Sequence, residues 1–155
     1  MGLDTTHNAW HGSYGSFMAF RKWIAGKLGI PLELMEGYYF EDGFTPNMFK
    51  LLEYKFPKGD ELEMASIREF KKMLPLKWES FKENPLHEFL YHSDCEGDFE
   101  PEACGRISTA MTRIINDIDQ EGGPSEQDKW FYDKLKQCAD GFWLAYERKE
   151  KLEFH

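Results

Sequence analysis

The stretch PEACGRISTAMTRIINDID, residues 101–119, carries its apolar side chains on a helical period. Ile107, Met111, Ile114, Ile115 and Ile118 recur at spacings that place them on one face of an α-helix. Pro101 suits the first helical position, where it has no N–H to satisfy. Asp98, Glu100 and Glu102 crowd the same end, where the positive pole of the helix dipole favours carboxylates. Gly122-Gly123-Pro124 then breaks the chain. Ser125 reads as an N-cap with Glu126 and Asp128 in the first turn. A second helix is expected over 125–150, with Phe131, Leu135, Cys138, Phe142, Ala145 and Tyr146 facing inward.

A further helix is predicted over 8–28. Trp10, Tyr14, Phe17, Ile24 and Leu28 recur at three, four or seven residues, and Phe20 and Trp23 broaden the stripe. Gly29 and Pro31 supply its stop. Gly12, Ser16 and Ala19 form a small-residue stripe open to a close neighbour. Interior Gly12, Gly15 and Gly26 each weaken such a helix by about 1 kcal/mol relative to alanine, so packing must hold it. The middle is less regular. Residues 31–44 suggest a short strand or extended segment, and Thr45-Pro46 opens a short helix over 47–55. Another helix is expected over 63–73, whereas 85–92 suits a short helix or a strand. These readings give a mainly α, compact helical domain with a minor short-strand component, α+β being the variant. The length of 155 residues suits a single globular domain over 1–155.

Aromatics make up 16% of the chain, and each buried ring removes about 150–250 Å² from water, so they are expected to dominate the core. Trp78, Trp130, Trp143 and the pair Tyr38-Tyr39 are read mainly as core. The net charge of −9 argues against general nucleic-acid binding, which needs basic residues to release counterions from phosphates. It argues equally against anionic lipid. The opening Met1-Gly2 with Thr6 fits a myristoylation pattern only loosely. Three cysteines, Cys95, Cys104 and Cys138, and no basic-then-apolar leader point to reduced thiols in a cytoplasmic setting. Cys104 and Cys138 fall on expected buried helix faces.

Chemistry-bearing residues gather in two places. His92-Ser93-Asp94-Cys95-Glu96-Gly97-Asp98-Phe99-Glu100 packs an imidazole, a thiol and four carboxylates into nine residues. Asp4, His7 and His11 lie near the N-terminus. If the first helix reaches back to His7, His7 and His11 share one face, an arrangement that grips metal. No glutamate base stands between them as in metalloproteases. Asp4, His7, His11, His92, Asp94 and Cys95 are therefore the candidate ligands of a divalent metal, zinc being favoured by sulfur and nitrogen donors. Metal-bound water would serve hydrolysis, with Asp94 or Glu96 as proton acceptor. A calcium loop fits worse, because Ala103 stands where the bidentate glutamate belongs and His92 stands first. A Cys95–His92 nucleophile pair is opposed by the neighbouring carboxylates, which raise the thiol's pKa. The bland alternative has the carboxylates capping the helix while His92 and Cys95 are satisfied by packing and backbone hydrogen bonds.

Three segments together, Gly2-Leu3-Asp4-Thr5-Thr6-His7-Asn8-Ala9-Trp10-His11-Gly12, Asn84-Pro85-Leu86-His87 leading to His92-Ser93-Asp94-Cys95-Glu96-Gly97, and Phe154-His155, resemble a family of small, uncharacterised bacterial and phage proteins. The resemblance runs over the whole chain. It implies a prokaryotic or viral cytoplasmic setting and no particular reaction. Two functions are expected from different classes: a His/Asp/Cys metal pocket, or a non-enzymatic interaction module whose acidic run over 94–102 engages a protein partner. Self-association into a homo-oligomer is a further form of partnership.

Overall fold

The computed structural model describes residues 2–40, 43, 45–57, 64–92 and 96–155. In chain order it forms strands β1 (Gly2–Asp4) and β2 (His11–Ser13), then helices α1 (Tyr14–Leu28), α2 (Pro46–Lys55), α3 (Met64–Met73) and α4 (His87–Tyr91). Strand β3 (Asp98–Phe99), helices α5 (Pro101–Gln120) and α6 (Lys129–Arg148), and strand β4 (Leu152–Glu153) complete it. The chain is mainly α with a minor strand component. No helix among the described residues is long and apolar enough to cross a membrane. Two compact units are present: Met1–Ile24 together with Lys82–His155, and Ala25–Phe81 between them in sequence.

In the first unit α5 and α6 form a hairpin around the periodic faces read from the sequence. Ile107, Met111, Ile114 and Ile118 are buried on α5, as are Leu135, Cys138, Phe142 and Ala145 on α6. Ser108 Oγ donates to the Ala139 carbonyl (2.8 Å), so even the polar residue in this seam is satisfied. Gly122 and Gly123 take positive φ (102° and 93°) at the turn, and Gly123 N–H closes on the Ile118 carbonyl at 2.9 Å. Ser125 caps a turn just ahead of α6: its hydroxyl and carbonyl both accept from Asp128 N–H, at 3.2 and 3.1 Å. At the far end Lys149 takes the left-handed cap position usually given to glycine (φ 56°).

The N-terminal helix is shorter than its periodicity predicts, beginning at Tyr14 rather than near residue 8. Residues 2–13 form a hairpin instead, pairing Gly2 with Ser13, Leu3 with Gly12 and Asp4 with His11. Thr5 closes it: its N–H reaches the Trp10 carbonyl at 3.2 Å, and its hydroxyl accepts from Trp10 N–H at 2.8 Å. Ser13 Oγ accepts from Ser16 N–H (3.1 Å), capping α1 three residues in. Trp10 still joins the core, its ring centroid 5.0 Å from Phe17 and 5.1 Å from Phe20, but from the residue just before β2 and not from a helix. The small-residue stripe seats no helix: Gly12 lies in β2, and Ala19 is exposed.

The second unit packs Leu34, Met48, Leu52 and Phe70 into one core, with Tyr39, Phe56 and Leu76 against it. Thr45 caps α2 through Met48 N–H at 3.3 Å. Among the described residues of the short strand or extended segment expected over 31–44, the structure has a 3-10 turn at Leu32–Leu34 and one parallel bridge between Met35 and Leu76. Glu36 then receives Lys77 Nζ (3.2 Å) and Trp78 N–H (3.3 Å), and these bonds hold its carboxyl below the ordinary range. The 85–92 alternative resolves to helix, as α4.

Candidate functional site

The three segments singled out in the sequence are joined through their backbones. Asp4 and His155 exchange N–H···O=C bonds at 2.9 Å each, and Thr5 bridges Phe154. Phe154 N–H reaches the Gly97 carbonyl at 3.0 Å, continuing the β3–β4 pairing of Asp98 with Glu153 and Phe99 with Leu152. Residues 152–155 thus run between the N-terminal strand and the segment after His92.

The candidate side chains take separate partners around that seam. His11 and Asp4 face each other across the hairpin, Nδ1 hydrogen-bonded to Oδ1, and the imidazole is open to solvent. His7 lies in the turn with left-handed backbone (φ 60°), as does Asn8 (φ 54°), so the two histidines do not share a helix face. The His7 side chain is only 6% exposed; Nδ1 is 3.0 Å from Thr6 Oγ1 and Nε2 is 3.7 Å from Glu150 Oε1. Thr6 Oγ1 also accepts from Glu153 N–H (2.9 Å), which ties the His7 turn to β4. His92 Nε2 donates to the Asp98 carbonyl (3.1 Å) while the ring stacks on Phe99 at 4.1 Å and meets the edge of Phe154 at 4.9 Å. Asp94 and Cys95 lie outside the described residues. Glu96 is exposed beyond Gly97. Among the described residues no three His, Cys, Asp or Glu side chains stand where one metal ion could reach them all.

The carboxylates at the α5 terminus have a partner that sequence reasoning missed. Lys151, just past α6, is 3.2 Å from Glu100 and 3.6 Å from Asp98, and both acids raise its ammonium pKa. Glu100 occupies the N-cap position without a side-chain capping bond. Burial raises both structural thiols, Cys104 to about 11 and Cys138 beyond it, so neither is an activated nucleophile.

A concave surface lies elsewhere in the same unit. An open groove of about 850 Å³ runs between residues 82–88 and the outer faces of α5 and α6. Its floor depends on Gly105, where a methyl group would come within 2.7 Å of the Tyr146 ring, so the ring rests on bare backbone. Trp143 lies one turn away, its centroid 5.2 Å from that of Tyr146 at an interplanar angle of 44°. These two rings are 44% and 43% exposed, which corrects the expectation that Trp143 is core and that Tyr146 faces inward. Trp130 is similarly half exposed, whereas Trp78 is buried as expected. Along α5, Glu102, Arg106, Thr109 and Arg113 form the groove's polar wall, and Arg106 pairs with Glu88 across it at 3.5 Å. The i, i+3 placement of Trp143 and Tyr146 was the available sequence signal, but only tertiary packing shows that the pair is left uncovered.

No family model, curated protein or solved structure matches this chain.

Proposed function

We propose that the chain is a non-enzymatic protein-interaction module of bacterial or phage origin, with the α5–α6 groove as its binding face. The observation that carries this reading is the uncovered Trp143–Tyr146 pair seated on Gly105 in a groove of ligand size. Half-exposed Trp and Tyr are the residues most enriched at interaction hot spots. Glu102 supports it further, because it belongs both to the acidic run and to the groove wall. Glu102 thus brings one carboxylate of the run into the groove that holds the rings. Resemblance of the three segments to a bacterial and phage family supports the setting.

The test is partner capture from a bacterial lysate on immobilised protein. Captured species should be lost with the triple charge reversal Glu96→Lys, Asp98→Lys and Glu102→Lys, in protein shown to be folded by circular dichroism. Equal capture by both proteins, or none by the parent, overturns the reading.

A further inference from the structure

The α5 wall of the groove carries Glu102 and Arg113, two opposite charges set well apart along the helix. Glu102 stands one helical turn from Gly105, the residue on which Tyr146 rests, whereas Arg113 lies three turns along α5 from Glu102. At about 1.5 Å per residue the two charges are separated by about 16 Å along the helix. Between them Arg106 has its charge offset by Glu88. Glu102 and Arg113 both line the groove, and among the described residues neither has a side-chain hydrogen bond or ion pair.

We infer that the groove takes an extended segment of a partner protein, with a lysine or arginine against Tyr146, Trp143 and Glu102 and an acidic residue at Arg113. This rests on the module reading above. An alkylammonium or guanidinium is attracted to the negative face of an aromatic ring, and a carboxylate beside the ring strengthens that preference. The long methylene stem of either basic residue lies well on ring surface while its charged head stays at the carboxylate. The chain's net charge of −9 draws basic segments toward it at long range. Arg113 then fixes which way the segment runs. At about 3.3 Å per residue an extended chain covers the 16 Å in about five residues, which sets the spacing of the basic and acidic side chains.

The probe is the hexapeptide acetyl-Lys-Gly-Gly-Gly-Gly-Glu-amide, titrated into the ¹⁵N-labelled full chain while the Trp143 indole N–H is followed by NMR. That resonance is assigned by its loss in Trp143→Phe. It should move and saturate in the millimolar range. Replacing the peptide lysine by norleucine, or making Glu102→Gln or Tyr146→Leu in the protein, should weaken binding about tenfold. A peptide that leaves Trp143 unmoved, that binds equally well with norleucine, or that shifts only residues 96–100 overturns the assignment. If captured partners still depend on Glu96, Asp98 and Glu102 while Trp143 is indifferent to the peptide, the module reading stands and only the basic-segment assignment falls. Loss of both results removes both.

Discussion

Gly141 of α6 and Ala9 of the hairpin turn are in backbone contact: a methyl group on Gly141 would lie 2.5 Å from both Cα and Cβ of Ala9 and 2.7 Å from its amide nitrogen. Such distances admit no side chain. The approach seats the His7-Asn8 turn on α6, where Gln137 Nε2 donates to the Asn8 carbonyl at 3.0 Å and Lys134 Nζ to the His11 carbonyl at 2.9 Å.

Gly141→Ala should therefore destabilise the chain by about 2–3 kcal/mol, because the atoms it meets are backbone and cannot rotate away. Thermal unfolding should fall by roughly 2–4 °C per kcal/mol for a chain of this length. An unchanged melting temperature would show that the turn is not held against α6 as described. Gly26→Ala serves as control, since nothing stands within 4 Å of the added methyl group.

Gly97 combines two demands that a double-mutant cycle can separate. Its φ is +104°, and a Cβ there would meet His92 Cε1 and Nε2 at 3.1 Å. Gly97→Ala is expected to cost about 2 kcal/mol, shared between backbone strain and the ring contact. In a His92→Ala background the contact contribution vanishes and the strain remains, so the penalty should shrink without reaching zero. Additive penalties from urea unfolding would mean that His92 does not pack on Gly97.

Asn8 tests the strained turn directly. Its contact with Gln137 is made mainly through the backbone carbonyl, so side-chain changes leave that bond in place. Left-handed backbone (φ 54°) favours glycine over a residue with a Cβ. Asn8→Ala should accordingly be less stable than Asn8→Gly by about 1 kcal/mol. Equal stabilities by chemical denaturation would place Asn8 outside the left-handed region.

Burial of Cys104 and Cys138 gives a defined pH dependence. An ordinary thiol titrates at 9.0, but burial raises Cys104 to about 11 and Cys138 beyond it. Above the ordinary value the unfolded chain sheds thiol protons that the folded chain retains, so rising pH favours unfolding. This contribution is intact below about pH 8 and declines as pH climbs toward 11. Urea midpoints should drop over that interval, and the drop should be smaller in Cys104→Ala. A decline that is the same in Cys104→Ala would remove this thiol as its source.

The interaction-module reading also predicts less than stoichiometric zinc or other divalent metal in protein purified without a metal-affinity column. Elemental analysis decides this. A full equivalent of metal, lost in His7→Ala and Cys95→Ala, would revive the ligand set Asp4, His7, His11, His92, Asp94 and Cys95. The interaction module would then yield to that pocket.

What the sequence revealed followed local physics. Pro101, the Ile107-to-Ile118 face and the Gly122-Gly123 break are all expressed within a few residues, and α5 and its turn formed as read. The N-terminal hairpin escaped because Trp10, Phe17 and Ile24 are seven apart, a spacing that helical periodicity claims even when Trp10 reaches the core from the turn before β2. Ser13 and Ser16 held the missing start signal. Residues 31–44 misled for another reason: the Leu34 carbonyl and the Glu36 N–H take their backbone partner at Leu76, far along the chain. The candidate site was legible as a meeting of segments and not as a meeting of side chains. The partners of His7 and Asp98, Glu150 and Lys151, lie far along the chain, and residue spacing carries no trace of them. Gly105 looked like an ordinary interior residue until Tyr146 was found lying on it.

The chain leaves the first unit after Ile24 and returns to it at Lys82, with the stretch Ala25–Phe81 between. Every residue of the groove, and every strand of the seam joining residues 4–5, 97–99 and 152–155, belongs to the unit that this stretch interrupts. A reporter or second binding domain grafted within this stretch is therefore attached at residues that do not line the groove.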